Sequence, residues 1–133
     1  MSLELSIRQV SDVTIFDVCG RMIAAAEGQT LHAALIHAFE EGHRWILMNC
    51  EALEYLDSSG LGDLIAAHAA IVRRGGILRI LQPPPRLREL LARTRLDTLL
   101  DVYPDEPSAL ASFTLANNLR TQQKLVNYLQ QGN

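Results

Sequence analysis

The sequence predicts a single α/β domain, a mixed and mostly parallel β-sheet with helices packed mainly on one face. Three observations carry this. Strand-like and helix-like hydrophobic periods alternate along the chain, two strands precede the first helix, and the run Trp45 to Met48 is apolar at every position. Alternating strands and helices place the strands in parallel and the helices against the sheet. An unbroken apolar strand suits a position covered on both faces. A chain of 133 residues fits one domain that buries a core without staples.

The elements follow in order. Leu3, Leu5 and Ile7 alternate with polar residues, the period-two mark of a half-buried strand. Ser11-Asp12 turns the chain, and Val13, Ile15, Phe16 and Val18 form a second strand ending at Gly20, which makes a hairpin. From about Ala24 to Glu41 the period becomes helical, with Leu31, Ala34, Leu35 and Ala38 on one stripe and Gly42 closing the helix. After the Trp45–Met48 strand comes a loop from Glu51 to Asp57. A second helical stripe follows, carrying Leu61, Leu64, Ile65, His68, Ala69 and Val72 and ending at Gly75-Gly76. Ile77, Leu78, Ile80 and Leu81 are the next strand. Pro83-Pro84-Pro85 stops it, since proline cannot donate to a ladder. Proline is tolerated in the first turn of the helix that carries Leu87, Leu90 and Leu91. Leu99, Leu100 and Val102 read as a short last strand, and Pro107 opens a final helix.

Composition narrows the function classes. Apolar residues make up 48% and charged residues 20%, ordinary for a soluble globular protein. The N-terminus carries Glu4 and no long apolar core, so it does not read as a secretory signal. The longest apolar stretch, Leu64 to Val72, is broken by His68 and too short to span a bilayer. These features predict a cytoplasmic protein with no direct membrane insertion. A net charge of -3 argues against general nucleic-acid binding. Residues 73–95 hold seven arginines against Glu89 alone, so this segment is +6 and the rest of the chain -9. It is either a solvated face or a docking patch for an acidic partner. Cys19 and Cys50 end apolar runs and are expected to be buried free thiols. His32, His37, His43 and His68 lack metal-ligand spacing, so neither a metal nor a cofactor is predicted. His68, on an apolar stripe, is expected to be a hydrogen-bonded core histidine.

The chemistry sits in Asp57-Ser58-Ser59-Gly60-Leu61-Gly62, where a loop meets a helix. Gly60 and Gly62 each cost a helix about 1 kcal/mol relative to alanine, which suggests a backbone that must be bare or closely packed. Asp57, Ser58 and Ser59 are all competent N-caps. One of them caps, and the other two are free to face solvent. A free hydroxyl there is well placed for phosphorylation, because unpaired N–H groups and the helix dipole favour an anion. Plain capping and turn chemistry remain the alternative.

This hexapeptide resembles the phosphorylation motif of STAS domains, specifically bacterial anti-sigma-factor antagonists. The likeness extends over about residues 3–116. It includes the Val13–Gly20 strand, the Trp45–Met48 strand, Gly75-Gly76, Leu87, Leu90 and Leu91 after the prolines, Leu99-Leu100, and Pro107-Ser108-Ala109-Leu110. The resemblance implies a STAS-like fold in residues 1–116 and Ser58 as phosphoacceptor. It implies partner contacts from Asp57, Ser59, Gly60, Leu61 and Gly62. Ile23 stands where antagonists often carry an acidic residue, so it joins the partner-contacting set. The implied partners are an anti-sigma factor that is also a serine kinase, which binds the ATP, and a phosphatase. The chain itself would be a substrate and not an enzyme. When unphosphorylated, it would bind the kinase and so release a sigma factor.

Two rival readings remain. A STAS scaffold subunit of a stress-signalling or lipid-transport complex would carry no phosphate. A serine hydrolase would use Ser58 as nucleophile, but its flanks do not form a Gly-x-Ser-x-Gly elbow. Residues 117–133 extend past the expected domain end as a helical tail. Leu115, Leu119, Gln122, Val126 and Leu129 follow a 4-3-4-3 spacing. That stripe suits packing on the domain itself, a homodimer through the C-terminal helix, or a frayed end.

Overall fold

The computed structural model describes residues 3–22 and 25–131. Their sheet has six strands: β1 (Glu4–Val10), β2 (Val13–Met22), β3 (Trp45–Asn49), β4 (Leu53–Leu56), β5 (Ile77–Leu81) and β6 (Val102–Tyr103). The helices are α1 (Ala25–Glu40), α2 (Ser58–Arg73), α3 (Pro85–Arg93) and α4 (Glu106–Gln131), with a short 3-10 turn at Leu96–Thr98. The spatial order is β1-β2-β3-β5-β6, with β4 paired to the far end of β2. Only the β1–β2 hairpin is antiparallel; the other pairs are parallel.

The apolar run Trp45–Met48 occupies the centre of this order, and its side chains divide between two cores. Ile46 and Met48 join Phe16, Val18 and Met22 beneath Leu31 and Leu35 of α1, Leu64 and Ile71 of α2, and Leu87 and Leu91 of α3. Leu47 joins Val13, Ile15 and Leu81 beneath Ala109 and Phe113 of α4, with Trp45 packed alongside. Three helices therefore cover one face and α4 covers the other. Arg8 fastens the start of α4 to the hairpin, bonding Asp17 and Glu106 at 2.6 Å each. Asn49 donates to Asp17 at 2.8 Å. The Arg8 guanidinium holds the Asp17 carboxyl below its usual range.

Several local expectations are corrected. The second strand does not end at Gly20; it runs through that residue, at φ 99°, to Met22. The pairing of β2 with β3 ends at Asp17, β4 takes over from Gly20, and the register with β4 shifts between Gly20 and Arg21. A glycine suits that bulge because it accepts a positive φ without strain. The loop expected from Glu51 to Asp57 contains β4, a strand of four residues and thus too short to show a period. Leu99 and Leu100 lie outside the last strand, which is Val102–Tyr103. Cys50 is buried, which pushes its thiol up to about 12, but Cys19 is exposed. Cys19 pairs across the hairpin with exposed Glu4, beyond the part of the sheet that α4 covers.

His68 is buried as expected, but its Nδ1 has no hydrogen-bond partner among the described residues. Burial lowers its pKa from 6.5, with the Asp101 carboxylate pulling the other way. The unfolded chain then binds the extra proton first, so His68 is fully compatible with folding above pH 6.5 and costs stability as pH falls below it. The thermal midpoint of the native protein should fall between pH 7.5 and pH 5.5. That of His68→Leu should fall by less, and equal slopes would remove His68 from the account.

Candidate functional site

The Ser58 segment lies where β4 meets α2, beside the end of β2. The register places Arg21 opposite Tyr55 and Met22 opposite Leu56. The pairing continues one step further, since the Asp57 N–H donates to the Met22 carbonyl at 3.2 Å. Asp57 is thus held in extended conformation, at φ -95° and ψ -177°. There its side chain accepts the Gly60 N–H at 2.9 Å, a helix N-cap. Of the three candidate caps the structure selects Asp57, because it alone has the extended backbone the cap position needs.

Ser58 and Ser59 occupy the first two positions of α2, and both are exposed. No acidic residue occupies that first turn. The hydroxyl of Ser58 is therefore presented at the electropositive end of a 16-residue helix, with the cap already filled by its neighbour. Among the described residues it makes no hydrogen bond to a histidine. His68 lies ten residues along the same helix, about 15 Å away by helical rise, and is buried. The hydrolase reading has no general base here.

The two glycines differ. A Cβ on Gly60 would lie 2.9 Å from the Met22 Cε and 3.0 Å from the Met22 carbonyl oxygen. Gly60 is therefore bare because the end of β2 passes against it. A Cβ on Gly62 would meet nothing within 4 Å. Gly60→Ala should lose about 1–2 kcal/mol, as expected for overpacking. Gly62→Ala should gain up to about 1 kcal/mol from helix propensity. Urea midpoints of the two variants against the native protein test this, and a loss at Gly62 equal to that at Gly60 would contradict it.

The other expected site residues divide by position. Asp57 is half-buried and Gly62 exposed, while Gly60 and Leu61 are buried. Leu61 belongs to the core beneath the loop, so it supports the site from below and presents little to a partner, contrary to its expected contact role. Ile23 lies outside the described residues. Sequence reasoning missed Met22, whose carbonyl positions Asp57 and whose side chain floors Gly60. An apolar residue two places after Gly20 was the available signal.

Comparisons with known proteins fit this geometry. A profile of the STAS domain matches residues 4–109. An anti-sigma F factor antagonist of Paenibacillus polymyxa is 26% identical over 72 residues, which cover 54% of this chain and 62% of that protein. The match thus spans less than two thirds of that relative. An anti-sigma factor antagonist of Mycobacterium paratuberculosis has a similar fold, with a TM-score of 0.73 at 22% identity, covering 84% of this chain and 93% of that one. The Bacillus cell fate determinant SpoIIAA in its phosphorylated form gives 0.65 at 18% identity, covering 82% and 99%. The two structural likenesses concern the fold. With the profile spanning most of the chain, and with the sheet and loop described above, this protein belongs to the STAS domain family.

Proposed function

We propose that this chain is an anti-sigma-factor antagonist, a binding module switched by phosphorylation of Ser58. The observation that carries the reading is the exposed Ser58 hydroxyl at the first position of α2, beside a cap already occupied by Asp57. The Paenibacillus relative bears that function in its name, and one similar fold is that of a phosphorylated protein. The unphosphorylated form binds an anti-sigma factor that is also a serine kinase, and the sigma factor is released. The kinase holds ATP, its γ-phosphoryl group passes to the Ser58 oxygen, and ADP and the serine proton leave. Phosphate adds roughly -1.5 to -2 charges at pH 7 on a surface that Asp57, Ser59 and Gly62 share. A phosphatase returns the free hydroxyl, and the cycle runs in the cytoplasm. No helix among the described residues is long and apolar enough to cross a membrane.

Incubation with ATP and the serine kinases of the same genome, followed by site mapping by mass spectrometry, tests the switch. One phosphate is expected on Ser58 and none on Ser58→Ala. No incorporation with any of them would overturn the switch and leave the scaffold role.

The tail from residue 117 extends the domain at 1–116 and joins two copies in this reading. Every described side chain of α4 from 114 to 130 is exposed, including Leu119 at 58%, Val126 at 45% and Leu129 at 60%. This stripe does not pack on the domain. Lys124 falls outside the 4-3-4-3 seam, so a second copy meets no buried charge there. Light scattering should give a dimer for the full chain and a monomer for Leu119→Glu with Val126→Glu. A monomer in both cases would exclude the dimer.

A further inference from the structure

Two arginines far apart in sequence meet beside the Ser58 loop. Arg21, at the end of β2, has its guanidinium carbon 5.3 Å from the centre of the Tyr55 ring. Arg86, from α3, lies 5.4 Å from the same ring. Tyr55 is one residue before Leu56, the register partner of Met22, whose carbonyl holds Asp57. A strand and a helix thus deliver two cations to one aromatic ring at the edge of the phosphoacceptor loop, where cation–π contact orders them.

What sets this pair apart from other surface arginines is the shared ring. Among the described residues neither makes an ion pair, unlike Arg8, Arg74, Arg79 and Arg93 and like Arg44, Arg73, Arg88 and Arg95. The nearby carboxylate of Glu89 is taken by Arg93. Both arginines are exposed. Arg86 also sits in the first turn of α3, which contains no acidic residue. A cation at a helix N-terminus opposes the dipole, so the helix itself is not stabilised by that charge.

We propose that Arg21 and Arg86, held on Tyr55, form the docking face for a carboxylate-bearing surface of the kinase that acts on Ser58. This rests on the switch reading above and gives it a chemistry. The partner is recognised here by cations, and the phosphate placed on Ser58 repels the same acidic surface while competing for the two guanidinium groups. One modification then removes attraction and adds repulsion.

The test uses the full chain and the kinase that phosphorylates it. Binding is measured by calorimetry for the native protein, Arg21→Glu, Arg86→Glu, Tyr55→Leu and Arg73→Glu. Arg73 is exposed at the other end of α2. Each of the first two variants should lose about ten-fold or more in affinity at low salt, with the difference shrinking as salt rises. Tyr55→Leu should lose less, since it frees the cations without removing them, and Arg73→Glu should bind like the native protein. Milder Arg21→Gln and Arg86→Gln changes serve if a reversal fails to fold. Native-like binding by both arginine variants, with Ser58 still the phosphate site, would overturn the docking face and leave the switch intact. A loss seen only when the kinase holds nucleotide would also overturn it, because the arginines would then be reading phosphate. If no kinase binds the native protein, the switch itself fails first.

Discussion

Ser58→Asp should lower affinity for the partner kinase by about ten-fold or more, equivalent to about 1.4 kcal/mol or above, while the thermal midpoint stays within a few degrees of the native value. The two halves of this result have separate causes. An aspartate at the first position of α2 places negative charge at the positive end of the helix, worth about 0.3–1 kcal/mol in favour of the fold. Asp57 beside it offsets part of that gain, so the net change in stability is small. Docking is affected differently. A carboxylate facing an acidic partner is a like-charge contact that must be desolvated, and such contacts cost several kcal/mol. One carboxylate carries less charge than a phosphoryl group, so the phosphorylated protein should bind more weakly still. Calorimetric titration of the three forms, with circular dichroism melts, decides the matter. Equal affinity for all three would remove charge as the switch, and a large fall in the midpoint would make the effect one of folding.

Phe113→Ala should destabilise the protein by about 3–5 kcal/mol, as for other large buried aromatic truncations, lowering the thermal midpoint by roughly 10–20 °C. Phe113 is fully buried and is the largest side chain that α4 contributes to the second face of the sheet. It packs 6.3 Å from the Trp45 ring, and Arg79 lies 5.0 Å above it. Beyond it, no described side chain of α4 is buried, so nothing further along the helix makes up the loss. Trp45 is the only tryptophan, so its fluorescence should shift to longer wavelength as the face opens. A loss below about 1 kcal/mol would mean that Arg8, through Asp17 and Glu106, is the stronger attachment. Its pairs are only partly buried, and ion pairs near the surface seldom contribute more than about 1 kcal/mol.

The elements that were legible in the sequence are those with a period long enough to read. The stripe Leu31, Ala34, Leu35 and Ala38 belongs to α1, and the run Trp45–Met48 became the central strand. The four-residue β4 was not legible, because it shows no alternation and its strand character comes from pairing with β2. Cys19 reads as the end of an apolar run, yet exposure depends on which part of a sheet face a distant helix covers. The stripe in the tail was visible at once. Whether it packed inward was not, because that depends on where α4 runs relative to the sheet.

The same division holds at the site. Sequence alone determined that a helix begins at Asp57-Ser58-Ser59-Gly60 and that an oxygen-bearing side chain must cap it, since these are consequences of backbone N–H groups left without partners. It also singled out the six-residue segment on which the proposed switch rests. Tertiary structure decided which residue caps, which glycine is sterically required and which arginines stand nearby. The Met22 carbonyl fixes the backbone of Asp57, the passage of β2 explains Gly60 and not Gly62, and β2 and α3 bring Arg21 and Arg86 to one ring. These are contacts between segments remote in the chain, and no local pattern encodes a distance across a fold.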